Sequence, residues 1–175
     1  RGPSRAPGGA EAMTTLAQPV AEVLAAVLPA AESAGVFGAC RVEDGMLRCE
    51  VANSAEPAEY RVFQDEYQGS PRVWVALVTE DRWLSGSIEG DLVHTGDKIE
   101  DLIDEEFVDL DGEGGPFPME HFRSEELLFT FRSPLPFAVE EAASAKSVDM
   151  TGKALLAFEL AFRPLGDMDE TEEDD

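Results

Sequence analysis

Residues 38–51 read GACRVEDGMLRCEV. Asp44-Gly45 is a strong two-residue hairpin signal, because a type I′ turn needs φ > 0 at both central positions and Asp-Gly supplies it. With those residues at the turn, Glu43 faces Met46, Val42 faces Leu47, Arg41 faces Arg48 and Cys40 faces Cys49. Alternation then sets Cys40, Val42, Leu47, Cys49 and Val51 on a core face, and Arg41, Glu43, Arg48 and Glu50 on a wet one. The cysteines meet at a non-hydrogen-bonded site, where Cα atoms come closest. A cross-strand disulfide is conceivable there; two buried thiols acting as small hydrophobes is the plainer reading.

Working outward, the turn-rich NSAEPAE (53–59) leads to a strand at Tyr60–Phe63, and QGSP (68–71) is a further turn. RVWVALVT, Arg72–Thr79, is a nearly continuous run of β-formers, as expected of a central strand. Glu80-Asp81 turns the chain into Arg82–Ile88, read as another short strand. Val36–Ile88 is thus expected to be an antiparallel meander of four or five strands. Before it, Leu16, Val20, Val23, Leu24, Val27 and Leu28 share one helical face. Thr15 can cap that helix and Gly35 can end it in the left-handed conformation. Pro29 is expected to kink it or end it early.

Beyond the meander, Asp97 is expected to open a helix through a capping box with Glu100. Ile99, Leu102, Ile103 and Phe107 form its buried stripe, opposite Glu100, Asp101, Asp104 and Glu105. A Gly/Pro loop covers Asp111–Pro118. Glu126–Arg132 reads as a strand, with Leu128, Thr130 and Arg132 on one side and Leu127, Phe129 and Phe131 on the other, ended by Pro134 and Pro136. Phe137–Ala145 and Lys153–Phe162 read as helices, the second with a strand as its alternative. The expectation is an α+β fold: an antiparallel β-meander sheet packed by an N-terminal helix, an acidic central helix and a C-terminal helix. Residues 1–13 are read as a disordered extension with Met13 as the start. Residues 14–166 are read as one α+β domain, and 167–175 as an acidic disordered tail.

The chain has 175 residues, 43% of them apolar, with 37 acids against 13 bases for a net −24. That balance excludes direct grip on a nucleic-acid backbone, where Lys and Arg must replace counterions, and docking on anionic lipid. The charge is uneven. Residues 97–113 hold nine acids and one Lys, and seven of the nine residues 167–175 are acidic, so these two stretches carry −15 of the −24. No apolar run reaches the roughly 18 to 20 residues a bilayer crossing needs. No export signal is legible, so a cytoplasmic location is expected. Two cysteines do not make a disulfide scaffold.

Catalysis is not legible. His94 and His121 are the two histidines, and spacing pairs neither with a Ser/Asp or Cys partner. Two Cys and two His at these separations are no zinc signature, and GDLVHTGD (90–97) is no phosphate loop. One spacing matches a cation site. Asp109, Asp111, Glu113, Gly114 and Glu120 fall at positions 1, 3, 5, 6 and 12 of an EF-hand loop. Position 5 is Glu, Pro116 stands at position 8, and the chain has no second loop. Ca²⁺ is therefore the one cofactor the pattern admits, and a plain loop is the competing reading.

The opening helix 16–34, RVWVALVTEDRWLSGSI (72–88), DKIEDLIDEEF (97–107), ELLFTFRSPLPF (126–137) and KALLAFELAFRPL (153–165), taken in order, resemble the type III secretion chaperone-like group, including YbjN-type bacterial proteins. The resemblance covers roughly residues 14–165, with the GEGGPFPMEHFRS stretch departing from it. It implies a non-enzymatic, homodimeric protein-binding or adaptor module that holds a client segment in an apolar groove or at a sheet edge. Phe63, Trp74 and Trp83 are its candidate partner-binding residues, and the acidity favours a basic client. Two competing readings are an acidic DNA mimic that occupies a basic protein, and an enzyme with a carboxylate-based or metal-assisted site.

Overall fold

The computed structural model describes residues 16–52, 54 and 57–166. The expected cap Thr15, the 1–13 extension and the 167–175 tail lie outside the described residues. In chain order the elements are α1 (Gln18–Ala34), β1 (Phe37–Glu43), β2 (Met46–Val51), β3 (Ala58–Tyr67), β4 (Ser70–Thr79), α2 (Arg82–Thr95), α3 (Ile99–Asp109), β5 (Glu120–Arg123), β6 (Phe129–Pro134) and α4 (Ala145–Phe162). The fold is α+β, with one six-stranded antiparallel sheet in the order β1-β2-β3-β4-β6-β5.

Local turn chemistry sets the register. Asp44 and Gly45 have φ of 56° and 76°, and Gln68 and Gly69 have 53° and 84°. Both hairpins therefore close through two positive-φ residues, the I′ pattern whose twist matches that of the strands. The β1–β2 pairs are those expected: Glu43↔Met46, Val42↔Leu47, Arg41↔Arg48 and Cys40↔Cys49. Both thiols are free. Leu47 and Cys49 are buried, but Val42 is 45% exposed, because β1 is the edge strand. Burial raises the Cys49 thiol far above its ordinary pKa, which leaves it a poor nucleophile.

The core lies on one face of the sheet. Val20, Val23, Leu24 and Val27 of α1 and Ala154, Leu155, Phe158 and Phe162 of α4 pack over Leu47, Tyr60, Val62, Val73, Val75 and Leu77. Gly35 ends α1 at φ 71°, as expected. Pro29 neither ends α1 nor shortens it; it lies on the exposed side.

Several elements differ from the sequence reading. Arg82–Ile88 is no strand; it opens α2, because the Asp81 carboxylate accepts from the Leu84 N–H and caps the helix. The helix then runs to Thr95 and stops at Gly96, φ 78°. The meander therefore holds four strands. The Asp97/Glu100 capping box does not form: α3 starts at Ile99 with Lys98 as an N-cap lacking a side-chain bond. Glu120–Arg123, between the expected loop and the expected strand, is the edge strand β5. β6 begins only at Phe129, since Leu127 turns at φ 67°. Phe137–Ala145 forms only a 3₁₀ turn at Val139–Glu141. Ser144 then caps α4 by accepting from Ser147 N–H, so Lys153–Phe162 is the second half of a helix and no strand.

Candidate binding surfaces

The face of the sheet away from α1 and α4 is organised in rows across the strands. The pairing Arg41↔Arg48, Arg48↔Arg61, Arg61↔Ala76, Ala76↔Arg132 and Arg132↔Glu120 sets four arginines in one row. Like charges directly opposite repel, and the neighbouring acids answer this diagonally. Glu59 accepts from Arg48 and Arg61, each Nη2 at 2.7 Å from Oε2. Glu43 joins Arg41 at 2.7 Å and Arg48 at 3.3 Å. Arg132 donates to Asp65 at 2.8 Å and to Glu120 at 2.9 Å. Burial pushes the Glu59 carboxyl up, but the hydrogen bonds from Arg48 and Arg61 outweigh it and hold the pKa below its ordinary value.

The row also covers apolar surface. Trp74 is fully enclosed: the Arg132 guanidinium lies 3.9 Å from its ring centre, Tyr67 meets it edge-on, and its Nε1–H donates to the Asp65 carbonyl. Trp74 therefore belongs to the sheet and offers no groove lining, contrary to its candidacy. Phe63 stands directly opposite it in the register and is half-buried. It lines a shallow groove with Met46, Val78, Phe122, Leu128 and Thr130. Trp83 is elsewhere, on α2, and 81% exposed. The three aromatic candidates are not brought to one place.

The expected calcium ligands are also not gathered. Asp109 ends α3, Asp111 turns at φ 64°, and Glu120 leaves on β5 to bind Arg132. Among the described residues, no three His, Cys, Asp or Glu side chains converge as a metal site.

One arrangement escaped the sequence reading. His121 on β5 meets α2 with both ring nitrogens: Nδ1 is 3.0 Å from Glu89 Oε2, and Nε2 is 3.4 Å from Ser85 Oγ. Ser85 and Glu89 are one turn apart, and the ring stacks flat on Phe131 at 3.7 Å. The order Ser–His–carboxylate is that of a nucleophile relay. However, Ser85 is only 2% exposed, and the N–H groups of Leu84 and Ser85 are committed to Asp81, so neither is available as an oxyanion donor. In this geometry the relay fastens the edge strand β5 to α2. The 36-residue separation of Ser85 and His121 and the misread helix hid it.

An apolar groove runs between α1 and α4. It encloses about 510 Å³ between Ala26, Val27 and Ala30 of α1 and Val148, Gly152 and Leu156 of α4. The Asp149–Lys153 ion pair, 2.8 Å, stands at its lip. A Cβ built on Gly152 would meet nothing within 4 Å, so the depth of the groove owes part to that missing side chain. No described helix is long and apolar enough to cross a membrane. Compared with family models, curated proteins and solved structures, the chain finds no match.

Proposed function

We propose that this protein is a non-enzymatic binding module that holds a basic, amphipathic segment of another protein, its apolar side seated between α1 and α4. The groove of about 510 Å³ carries the reading. It is of the size that takes one or two large apolar side chains, and a helix-in-groove contact places such anchors at i, i+3/i+4 and i+7. Gly152, which lines that groove, adds to it: glycine inside a helix costs about 1 kcal/mol relative to Ala, and a Cβ there would meet nothing within 4 Å. The client's charge follows from the net −24 and from α1, which carries Glu22 and Glu32 and no cation. Long-range attraction of this kind raises association rates and weakens with salt.

The test is titration calorimetry with a synthetic Leu/Lys amphipathic peptide, alongside its Leu/Glu counterpart. The Lys peptide binds, the Glu peptide does not, and added salt weakens the interaction. Gly152→Leu fills the groove without touching the core and weakens binding about tenfold or more, the burial of one large side chain being worth about 1.5–3 kcal/mol. Equal binding by wild type and Gly152→Leu, with unchanged melting, would sink the proposal.

A further inference from the structure

We propose that Cys40 and Cys49 form an oxidation site: a small uncharged peroxide oxidises Cys40, and Cys49 then closes a cross-strand disulfide that ties the edge strand β1 to β2. The chain has two cysteines, and the register sets them directly opposite each other. Both side chains lie on the covered face, Cys49 within the core and Cys40 packed against it. The two thiols interact directly. At a non-hydrogen-bonded pair the Cα atoms are about 4.5 Å apart, inside the range of roughly 4.4–6.8 Å that a disulfide spans. The bond therefore closes in the existing register. Cys40 also donates to the Gly38 carbonyl across 3.7 Å, a weak contact that opposes little.

Exposure divides the roles. Cys49 is 0% exposed, so a dissolved reagent does not reach it first. Cys40 is half-buried on an edge strand, and it is where the oxidant enters. A buried thiol is a poor nucleophile toward reagents in solvent. Toward a neighbour held in contact, however, its attack is intramolecular, and proximity offsets that weakness. Glu32 and Glu50 stand close enough to Cys40 to oppose a negative charge on its sulfur. The same two carboxylates repel an anionic oxidant and leave the approach of an uncharged one unhindered.

The Cys40 thiolate attacks one oxygen of hydrogen peroxide. The O–O bond breaks, and the departing hydroxide takes up the proton that Cys40 gave up, forming water and leaving Cys40 as a sulfenic acid. The Cys49 sulfur then attacks the Cys40 sulfur. The S–O bond breaks, and the oxygen leaves as a second water with the Cys49 proton. Two thiols are oxidised to one disulfide, and one peroxide is reduced to two waters. The product fastens β1 at a telling place. The β1–β2 register shifts between Phe37 and Cys40 and is regular from Cys40 to the turn, so the bond pins the strand where its regular ladder begins. It also removes freedom from the unfolded chain. Neither cysteine lines the α1/α4 groove, so this proposal does not rest on the client reading.

The test treats the reduced full chain with hydrogen peroxide and counts free thiols after unfolding and alkylation. Both thiols disappear together, peptide mapping links Cys40 to Cys49 within one chain, and dithiothreitol restores both. The closed form melts about 5 °C higher than the reduced one, and hydrogen exchange slows in β1. Cys49→Ala stops the reaction at the Cys40 sulfenic acid, which dimedone traps. Cys40→Ala slows the loss of the Cys49 thiol about tenfold or more. Glutathione disulfide, an anion, reacts with Cys40 more slowly than the uncharged hydroxyethyl disulfide, and Glu32→Gln with Glu50→Gln narrows that gap; equal rates in the wild type would overturn the selection of an uncharged oxidant. The wild-type thiol count needs no substitution, so it decides the matter where a variant fails to fold. Two thiols that survive peroxide overturn the proposal, as does a Cys40 oxidised beyond the sulfenic acid while Cys49 stays free, or a bond formed between two chains instead of within one.

Discussion

The two faces of one sheet solve burial by different means. On the covered face, strand residues such as Leu47, Val62, Val75 and Leu77 are enclosed by apolar side chains of α1 and α4. On the opposite face, Trp74, Ala76 and Val78 are just as thoroughly buried, yet they stand outside that core. There Arg132 lies between the rings of Trp74 and Phe122, and Arg48 and Arg61 converge on Glu59. Long Arg stems cover apolar surface while their heads stay hydrogen-bonded. Burial on the second face depends on charge, and burial on the first does not. The open face is nearly neutral, and −15 of the net −24 sits in residues 97–113 and 167–175.

The contrast can be broken by substitution. The largest effect belongs to the covered face. Phe158→Ala empties a site that is fully buried beside Phe162 and is expected to cost about 3–5 kcal/mol, read by urea unfolding with no added dependence on pH or salt. Glu59→Gln on the open face is expected to cost about 2 kcal/mol, because it leaves two half-buried guanidiniums without their shared carboxylate. Its signature is in acid. The folded-state pKa of Glu59 is lowered, so its contribution is fully present above the ordinary carboxylate value and is lost as pH falls through the folded one. The wild type should therefore lose stability there more steeply than Glu59→Gln. Equal acid sensitivity of the two would remove the distinction between the faces. Glu43→Gln, at the exposed end of the network, should change little.

What could be read from sequence follows the same division. The β1–β2 register was legible to the residue because Asp44-Gly45 admits one turn type and alternation does the rest. The centrality of Arg72–Thr79 was legible too, since Val73 to Thr79 are all buried. α2 was not. Its apolar stripe, Leu84, Ile88 and Leu92, is interrupted by Ser85, Gly86, Ser87 and Gly90, which lower helix propensity until the pattern resembles a short strand. The cap that decides the matter, Asp81 on Leu84, is one polar residue among many. β5 was missed because four residues with burial only at one end owe their extended form to pairing with β6, a tertiary cause. The same error concealed the Ser85–His121–Glu89 contact, which exists only once α2 is a helix and β5 a strand. Of the candidate partner residues, Trp74 was drawn into the sheet by Arg132, an interaction of residues 58 positions apart that no local pattern encodes.

A smaller effect, of opposite sign, sharpens the account of the covered face. Tyr60 places its hydroxyl there with no hydrogen-bond partner among the described residues. A buried unsatisfied hydroxyl is a cost that folding must offset, so Tyr60→Phe is expected to stabilise by about 1 kcal/mol in urea unfolding. If the covered face is apolar packing throughout, deleting that oxygen helps; a loss of stability would mean that the oxygen has a structural role on this face after all.

The smallest effect lies where the covered face ends, at His121. Two influences oppose each other on its ring. Burial against Phe131 and α2 disfavours the cation, while the Glu89 carboxylate favours it, and burial prevails, so the pKa is lowered from 6.5. Glu89 is more than half exposed, which weakens its pull through solvent screening. A histidine held neutral contributes stability that is fully present above the unfolded value of about 6.5 and is lost as pH falls through the lower folded value, because the unfolded chain then binds more protons. The melting temperature of the wild type should accordingly decline through that window, and His121→Gln should flatten the decline. Hydrogen exchange should show the opening first at β5, the strand that His121 ties to α2. A melting temperature that rises as pH falls would mean that the Glu89 ion pair outweighs burial, and would move His121 from the logic of the covered face to that of the open one.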